Sequence, residues 1–131
     1  VWRGAWGAAL VVAGLVSGCV TAPPAPRSEF EDLPVPRGLT LQVGRSTVIE
    51  SPTVKAARLV YRGRIEPRSL AAAMRTTLEA QGWRHVSTAG GAPDLIQTFE
   101  KADATVQVRI WEGWWYTYLE LTAGRPVTPP R

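Results

Sequence analysis

The sequence predicts an α+β domain, with one helix packed on an antiparallel sheet of about five or six strands in the order β-β-α-β-β-β-β. Three observations carry this. Only residues 67–81 repeat apolar side chains at helical spacing. The segments after them are short, alternate apolar with polar residues, and are separated by turn residues, which is the pattern of consecutive antiparallel strands. A single amphipathic helix has one stripe to bury, and a sheet with one apolar face satisfies it most economically.

A first strand is expected from about Leu41 to Glu50, ended by Pro52. Residues 56–62 alternate next, with Ala57, Leu59 and Tyr61 on one face and Arg58, Val60 and Arg62 on the other; Gly63 marks the strand end. Pro67 suits a first helical position, with Glu66 before it. Leu70, Met74 and Leu78 then recur every four residues, Ala71, Thr77 and Gln81 widen the stripe, and Gly82 supplies a left-handed stop. Trp83 follows, placed to fold back on the last turn. Strands over 83–87, 95–100, 105–111 and 114–121 complete the pattern, with turns at Gly90-Gly91-Ala92-Pro93 and Lys101-Ala102-Asp103.

Length and charge narrow the function classes. The 131 residues are 45% apolar, 20% charged and 8% aromatic, an ordinary globular balance for one small domain. Four segments are expected: 1–18 a signal peptide, 19–37 a Pro-rich tether, 38–123 the folded domain, and 124–131 a disordered tail. A domain of that size has a marginal core, no disulfide can brace it with one cysteine present, and six tryptophans can supply buried area. The net charge of +4 is spread through the chain with no basic run, so no nucleic-acid partner is expected.

The N-terminus carries the clearest signal. Arg3 precedes an apolar run over residues 5–16, the length of a signal-peptide core and too short to span a bilayer. Small residues Ser17 and Gly18 then lead to Cys19, the only cysteine. Leu15-Val16-Ser17-Gly18-Cys19 resembles the lipobox of bacterial lipoproteins. The resemblance implies that Val16, Ser17 and Gly18 are read by the lipoprotein signal peptidase, and that Cys19 carries diacylglycerol on sulfur with palmitate-type acylation. Two or more acyl chains give stable anchoring where one does not. Val20, in place of the aspartate that often retains such proteins in the inner membrane, implies the periplasmic face of the outer membrane; the inner membrane and the cell surface stay open. Pro23, Pro24, Pro26, Pro34 and Pro36 make the following segment a semi-rigid spacer, on which Phe30 and Leu33 either stay solvated or dock on the domain.

Tyr61-Arg62-Gly63, Gly82-Trp83 and Phe99-Glu100-Lys101 faintly resemble motifs of uncharacterised small bacterial envelope lipoproteins, and imply a fold and no activity. Catalytic chemistry is not expected. His85 is the only histidine, Cys19 is consumed by lipid, no serine has a nucleophile motif, and no glycine-rich loop opens a helix. No metal site or cofactor is expected, and we read the chain as a non-enzyme.

The most informative stretch is residues 109–118. With Glu112-Gly113 as a two-residue turn, Trp111 faces Trp114. Val106, Val108 and Ile110 then share the core face with Trp115, Thr117, Leu119 and Leu121. Arg109, Trp111, Trp114, Tyr116 and Tyr118 gather on the face the helix leaves open. Two roles fit: cross-strand aromatics that stabilise the hairpin, or a contact surface of the Trp/Tyr/Arg composition enriched at binding hot spots. The expected function is a lipid-anchored envelope lipoprotein with a non-enzymatic binding domain for an envelope protein or polysaccharide. A structural accessory subunit of an envelope assembly complex is the alternative, and an envelope hydrolase the remote third.

Overall fold

Strand β3 (Val54–Gly63) organises the sheet, pairing with the N-terminal strands on one side and with the last strand on the other. The computed structural model describes residue 30, residues 33–91 and residues 94–127; the expected signal peptide, Cys19 and the tether as far as residue 29 lie outside the described residues. Seven strands form one antiparallel sheet: β1 (Leu39–Leu41), β2 (Thr47–Glu50), β3, β4 (Arg84–Gly91), β5 (Asp94–Lys101), β6 (Ala104–Glu112) and β7 (Thr117–Pro126). They lie in the order β1-β3-β7-β6-β5-β4, with β2 continuing the edge beside β3. The helix α1 (Pro67–Ala80) carries the chain from β3 across one face to β4 at the far edge. The α+β class is as the sequence predicts.

The count exceeds the expected five or six because the first strand is broken in two. A short 3-10 turn over Val43–Arg45 interrupts it. The Ser46 hydroxyl explains the break: it donates to the Gln42 carbonyl (2.8 Å) and accepts from the Val60 N–H (3.0 Å). A side chain thus takes the place of a ladder hydrogen bond, and the loop folds over the outer face above Val60, which is fully buried.

Helix α1 begins and ends for reasons visible in the chain. Pro67 brings no N–H to satisfy, and the Glu66 carboxylate accepts from the N–H groups of Arg68 (3.0 Å) and Ser69 (2.7 Å). Those two backbone donors, then the Ser69 hydroxyl, hold the Glu66 carboxyl below the usual carboxylate range. Gly82 (φ +86°) ends the helix, and the Trp83 N–H bonds the Leu78 carbonyl while the ring turns back to near-complete burial. Lys101 donates to the Gln81 carbonyl at 2.6 Å, favourable at the negative end of a helix.

The helix stripe Leu70, Ala71, Met74 and Leu78 meets Phe99, Val106, Val108, Ile110, Leu119 and Leu121 in one core. Among the strands the helix lies chiefly against β4, β5 and β6, yet Ala57 and Leu59 on β3 and Ala123 on β7 are buried as well. Phe30 and Leu33 join the same cluster, with Val35 and Leu39 packed against it. Of the two outcomes open for Phe30 and Leu33 the structure takes docking, so the domain boundary expected at 38 moves back to Phe30 and the segment closes the core beside the helix. It passes to β1 over Gly63, where a Cβ would collide with the Gly38 carbonyl. The C-terminal boundary also moves. Residues 124–126, expected in a disordered tail, extend β7 against Ala56, Lys55 and Val54, and the Val127 N–H bonds the Thr53 carbonyl. β3 begins at Val54, and its backbone offers a partner that residue hydrophobicity does not reveal.

Candidate functional site

The outer face is built in rows across four strands. Asp94 (β5), Trp111 (β6), Tyr118 (β7) and Arg62 (β3) form one row, and Ile96, Arg109, Glu120 and Val60 the next. Alternation dictates this. Val106, Val108 and Ile110 face the helix, so Arg109 and Trp111 must face away.

The hairpin differs from expectation in its loop. Glu112 pairs with Thr117 and Trp111 with Tyr118, leaving residues 113–116 as a four-residue connection. The favoured two-residue hairpin turns need positive φ at one or both central positions; neither Glu112 nor Gly113 adopts it. Instead the Gly113 N–H bonds the Tyr116 carbonyl at 2.8 Å, and Trp114-Trp115 becomes the apex. Trp114 is 96% exposed and Trp115 74% exposed. Trp114 therefore does not sit opposite Trp111, and Trp115 is not on the core side. The other face assignments hold, because the register differs by four residues and an even shift preserves which side each residue takes.

On the face itself the aromatic rings are engaged by neighbours. Trp111 and Tyr118 stack with centroids 5.3 Å apart and planes 11° from parallel. The Arg45 guanidinium lies 5.1 Å from the Tyr118 centroid, and that of Arg109 lies 5.0 Å from Trp111. Gly113 permits the arrangement, since a Cβ there would meet the edge of the Tyr118 ring. Arg109 is fixed in turn by a two-pronged pair with Asp94, Nε to Oδ1 at 3.1 Å and Nη2 to Oδ2 at 2.7 Å. The hydrogen bond from Arg109 holds the Asp94 carboxyl below its usual range. Arg58 pairs with Glu120 at 2.6 Å. The result is a layered stack from Arg45 to Asp94, each aromatic or cation–π layer adding on the order of 0.5–1 kcal/mol.

Toward the apex the engagement loosens. Arg62 and Arg64 both approach the Tyr116 ring, at 4.7 Å and 5.7 Å from its centroid. Among the described residues neither forms an ion pair. A shallow cleft of about 310 Å³ separates the apex from the β3–α1 connection, lined by Arg64, Glu112, Trp114 and Trp115 among others.

Of the expected binding residues, the structure brings Arg109, Trp111, Tyr116 and Tyr118 together and places Trp114 beyond them at the apex. Sequence reasoning missed Arg45, Arg62 and Arg64 as neighbours of the aromatics, and it gave Asp94 no part in the face. Arg62 was assignable to the outer face from its alternation, but only the β3–β7 pairing sets it beside Tyr118. His85 lies on edge strand β4, with Nε2 2.7 Å from the Thr88 hydroxyl. Among the described residues, no group of three or more His, Cys, Asp or Glu is placed to hold a metal ion.

The Asp94–Arg109 pair has a pH signature. A carboxyl whose pKa falls on folding contributes stability above its unfolded value, and that contribution is lost as pH drops through the folded value. The pair is therefore intact at neutral pH and through the ordinary aspartate range, and is lost only at more acid pH than that range. Carboxyl NMR titration should find Asp94 below the ordinary aspartate range, and Arg109→Ala should return it there.

No protein-family model matches the chain, and no match is found among curated proteins or solved structures. The fold and the outer face thus define a one-helix α+β sheet domain with an aromatic–arginine hairpin, and its function is argued from its own residues.

Proposed function

We propose that the chain is a lipid-anchored envelope lipoprotein whose domain binds a partner and performs no catalysis, with the β6–β7 hairpin as the contact. The observation that carries this is the pair Trp114 and Trp115, largely exposed at the apex beside Tyr116, Arg62 and Arg64. Exposed tryptophans on a braced hairpin are unfavourable in water and of the composition that dominates binding sites. The lipobox resemblance at residues 15–19 supports the anchor at Cys19, and Val20 the outer membrane. Three carboxylates of the outer face, Asp94, Glu100 and Glu120, are each held by an arginine, and Asp94 is shifted away from the range of a general acid.

The test is crosslinking of the membrane-anchored protein with Trp114→Ala and Tyr116→Ala substituted together. Loss of the crosslinked partner with an unchanged circular dichroism spectrum is the expected result. Unchanged crosslinks and unchanged peptidoglycan binding would remove the hairpin from the function.

One observation favours the accessory-subunit reading. With Phe30 in the core, ten residues, 20–29, separate Cys19 from the domain, a reach of roughly 40 Å. Position relative to the membrane is then restricted. Deleting part of residues 21–29 disturbs function under this reading and leaves it intact if the hairpin alone matters.

A further inference from the structure

We infer that the hairpin apex seats on the headgroup layer of an anionic phospholipid bilayer, with Trp114 and Trp115 entering the interface and Arg62 and Arg64 meeting lipid phosphates. This names the partner class of the contact proposed above; it rests on the apex being a contact surface and does not require lipidation at Cys19, which would only raise the local concentration of the bilayer.

Shape is the first argument. Trp114 is 96% exposed at the tip of a loop, so it offers a protruding wedge and no enclosed seat. Indoles combine an apolar body with an N–H donor and concentrate where bilayer meets water. The sheet face below the apex offers no open stacking platform, since Trp111 and Tyr118 already cover each other and are capped by Arg109 and Arg45.

Charge is the second. The apex end of the sheet gathers Arg37, Arg45, Arg62, Arg64 and Arg68 against Glu66 and Glu112, once the Arg109–Asp94 pair is set aside. Elsewhere among the described residues six basic side chains face five acidic ones. The excess positive charge is thus concentrated where the tryptophans protrude, as an anionic surface requires. Each arginine near such a surface raises partitioning by about fivefold.

Geometry is the third. Phe30 lines a cleft with Ala102, Asp103 and Arg125, at the end of the sheet opposite the apex. The two ends are separated by the length of β6, nine residues or roughly 30 Å. A chain anchored at Cys19 has a reach of roughly 40 Å before Phe30, enough for the domain to lie over and bring its apex to the same bilayer. Contact then becomes intramolecular, with an effective concentration on the order of millimolar, so a weak interfacial affinity suffices.

The experiment uses the full chain with Cys19→Ser and one new cysteine bearing an environment-sensitive fluorophore, either Trp115→Cys at the apex or Asp103→Cys at the opposite turn. Vesicles of phosphatidylethanolamine with one quarter phosphatidylglycerol are compared with phosphatidylcholine alone. The apex label is expected to shift blue and be quenched by brominated lipid on the anionic vesicles only, while the label at 103 stays in water. Adding Arg62→Gln and Arg64→Gln should lower apparent partitioning by about 25-fold. An apex label that stays in water on anionic vesicles overturns the inference, even if the retained leader holds the chain on them. An equal response on neutral vesicles overturns the anionic surface. A response to a crosslinked protein partner or to peptidoglycan sacculi, with none to vesicles, overturns it in favour of those partners and leaves the hairpin as the contact. Absence of palmitate on Cys19 would defeat the anchor and leave this result unaffected.

Discussion

Phe30→Ala should destabilise the domain by about 3 kcal/mol, the lower end of the range for removing a buried phenylalanine. The ring is 4% exposed and shares the core with Leu59, Leu121 and Ala123. A cleft of about 260 Å³ beside it lets the surroundings close partly around the gap, which keeps the loss from the upper end. For a domain this small the effect is large. Total stability is on the order of 5 kcal/mol at the low end for native proteins, so the melting temperature should drop by roughly 15 °C. Leu33→Ala should follow with a somewhat smaller loss. Thermal and urea denaturation measure both, and a loss under about 1 kcal/mol for Phe30→Ala would return the segment to the role of a solvated spacer.

How far the chain announces this structure differs element by element. The helix is legible from end to end, because capping and stopping use only neighbouring residues: Glu66, Pro67 and Gly82 act where they stand. The sides of β3, β6 and β7 are legible too, since alternation is a local property that an error of four in register does not disturb. Loop length at the hairpin is not legible. The choice depends on whether Glu112-Gly113 takes left-handed geometry, and the stack of Tyr118 on Trp111 across Gly113 fits the longer loop. The break in the first strand turns on one hydroxyl, Ser46, meeting a backbone group of Val60, fourteen residues away. Phe30 and Leu33 are hidden by their company, because a proline-rich stretch has the composition of a linker whether or not two of its side chains find a cavity. The site follows the same division. Its aromatic members lie in one hairpin and could be gathered from the sequence; Arg45 and Arg62 arrive from elsewhere in the fold and could not.

A consequence for the proposed anchor follows from the packing of Phe30. Only ten residues, 20–29, lie between Cys19 and Phe30, so under the proposed anchor the spacer is shorter than composition suggests and would hold the domain within about one domain length of the bilayer. Lipidation at Cys19 is the premise of that picture. No helix among the described residues is long and apolar enough to cross a membrane. Two or three such chains bind a bilayer stably, each buried methylene contributing about 0.8 kcal/mol.

The direct measurement is metabolic labelling with a palmitate analogue, followed by mass spectrometry of the purified chain, for the native protein and Cys19→Ser. The account predicts a native chain that begins at Cys19, carries acyl groups and takes the label, and a variant that takes none and keeps residues 1–18. Labelling that persists in Cys19→Ser, or a native chain whose Cys19 thiol is free, would contradict it.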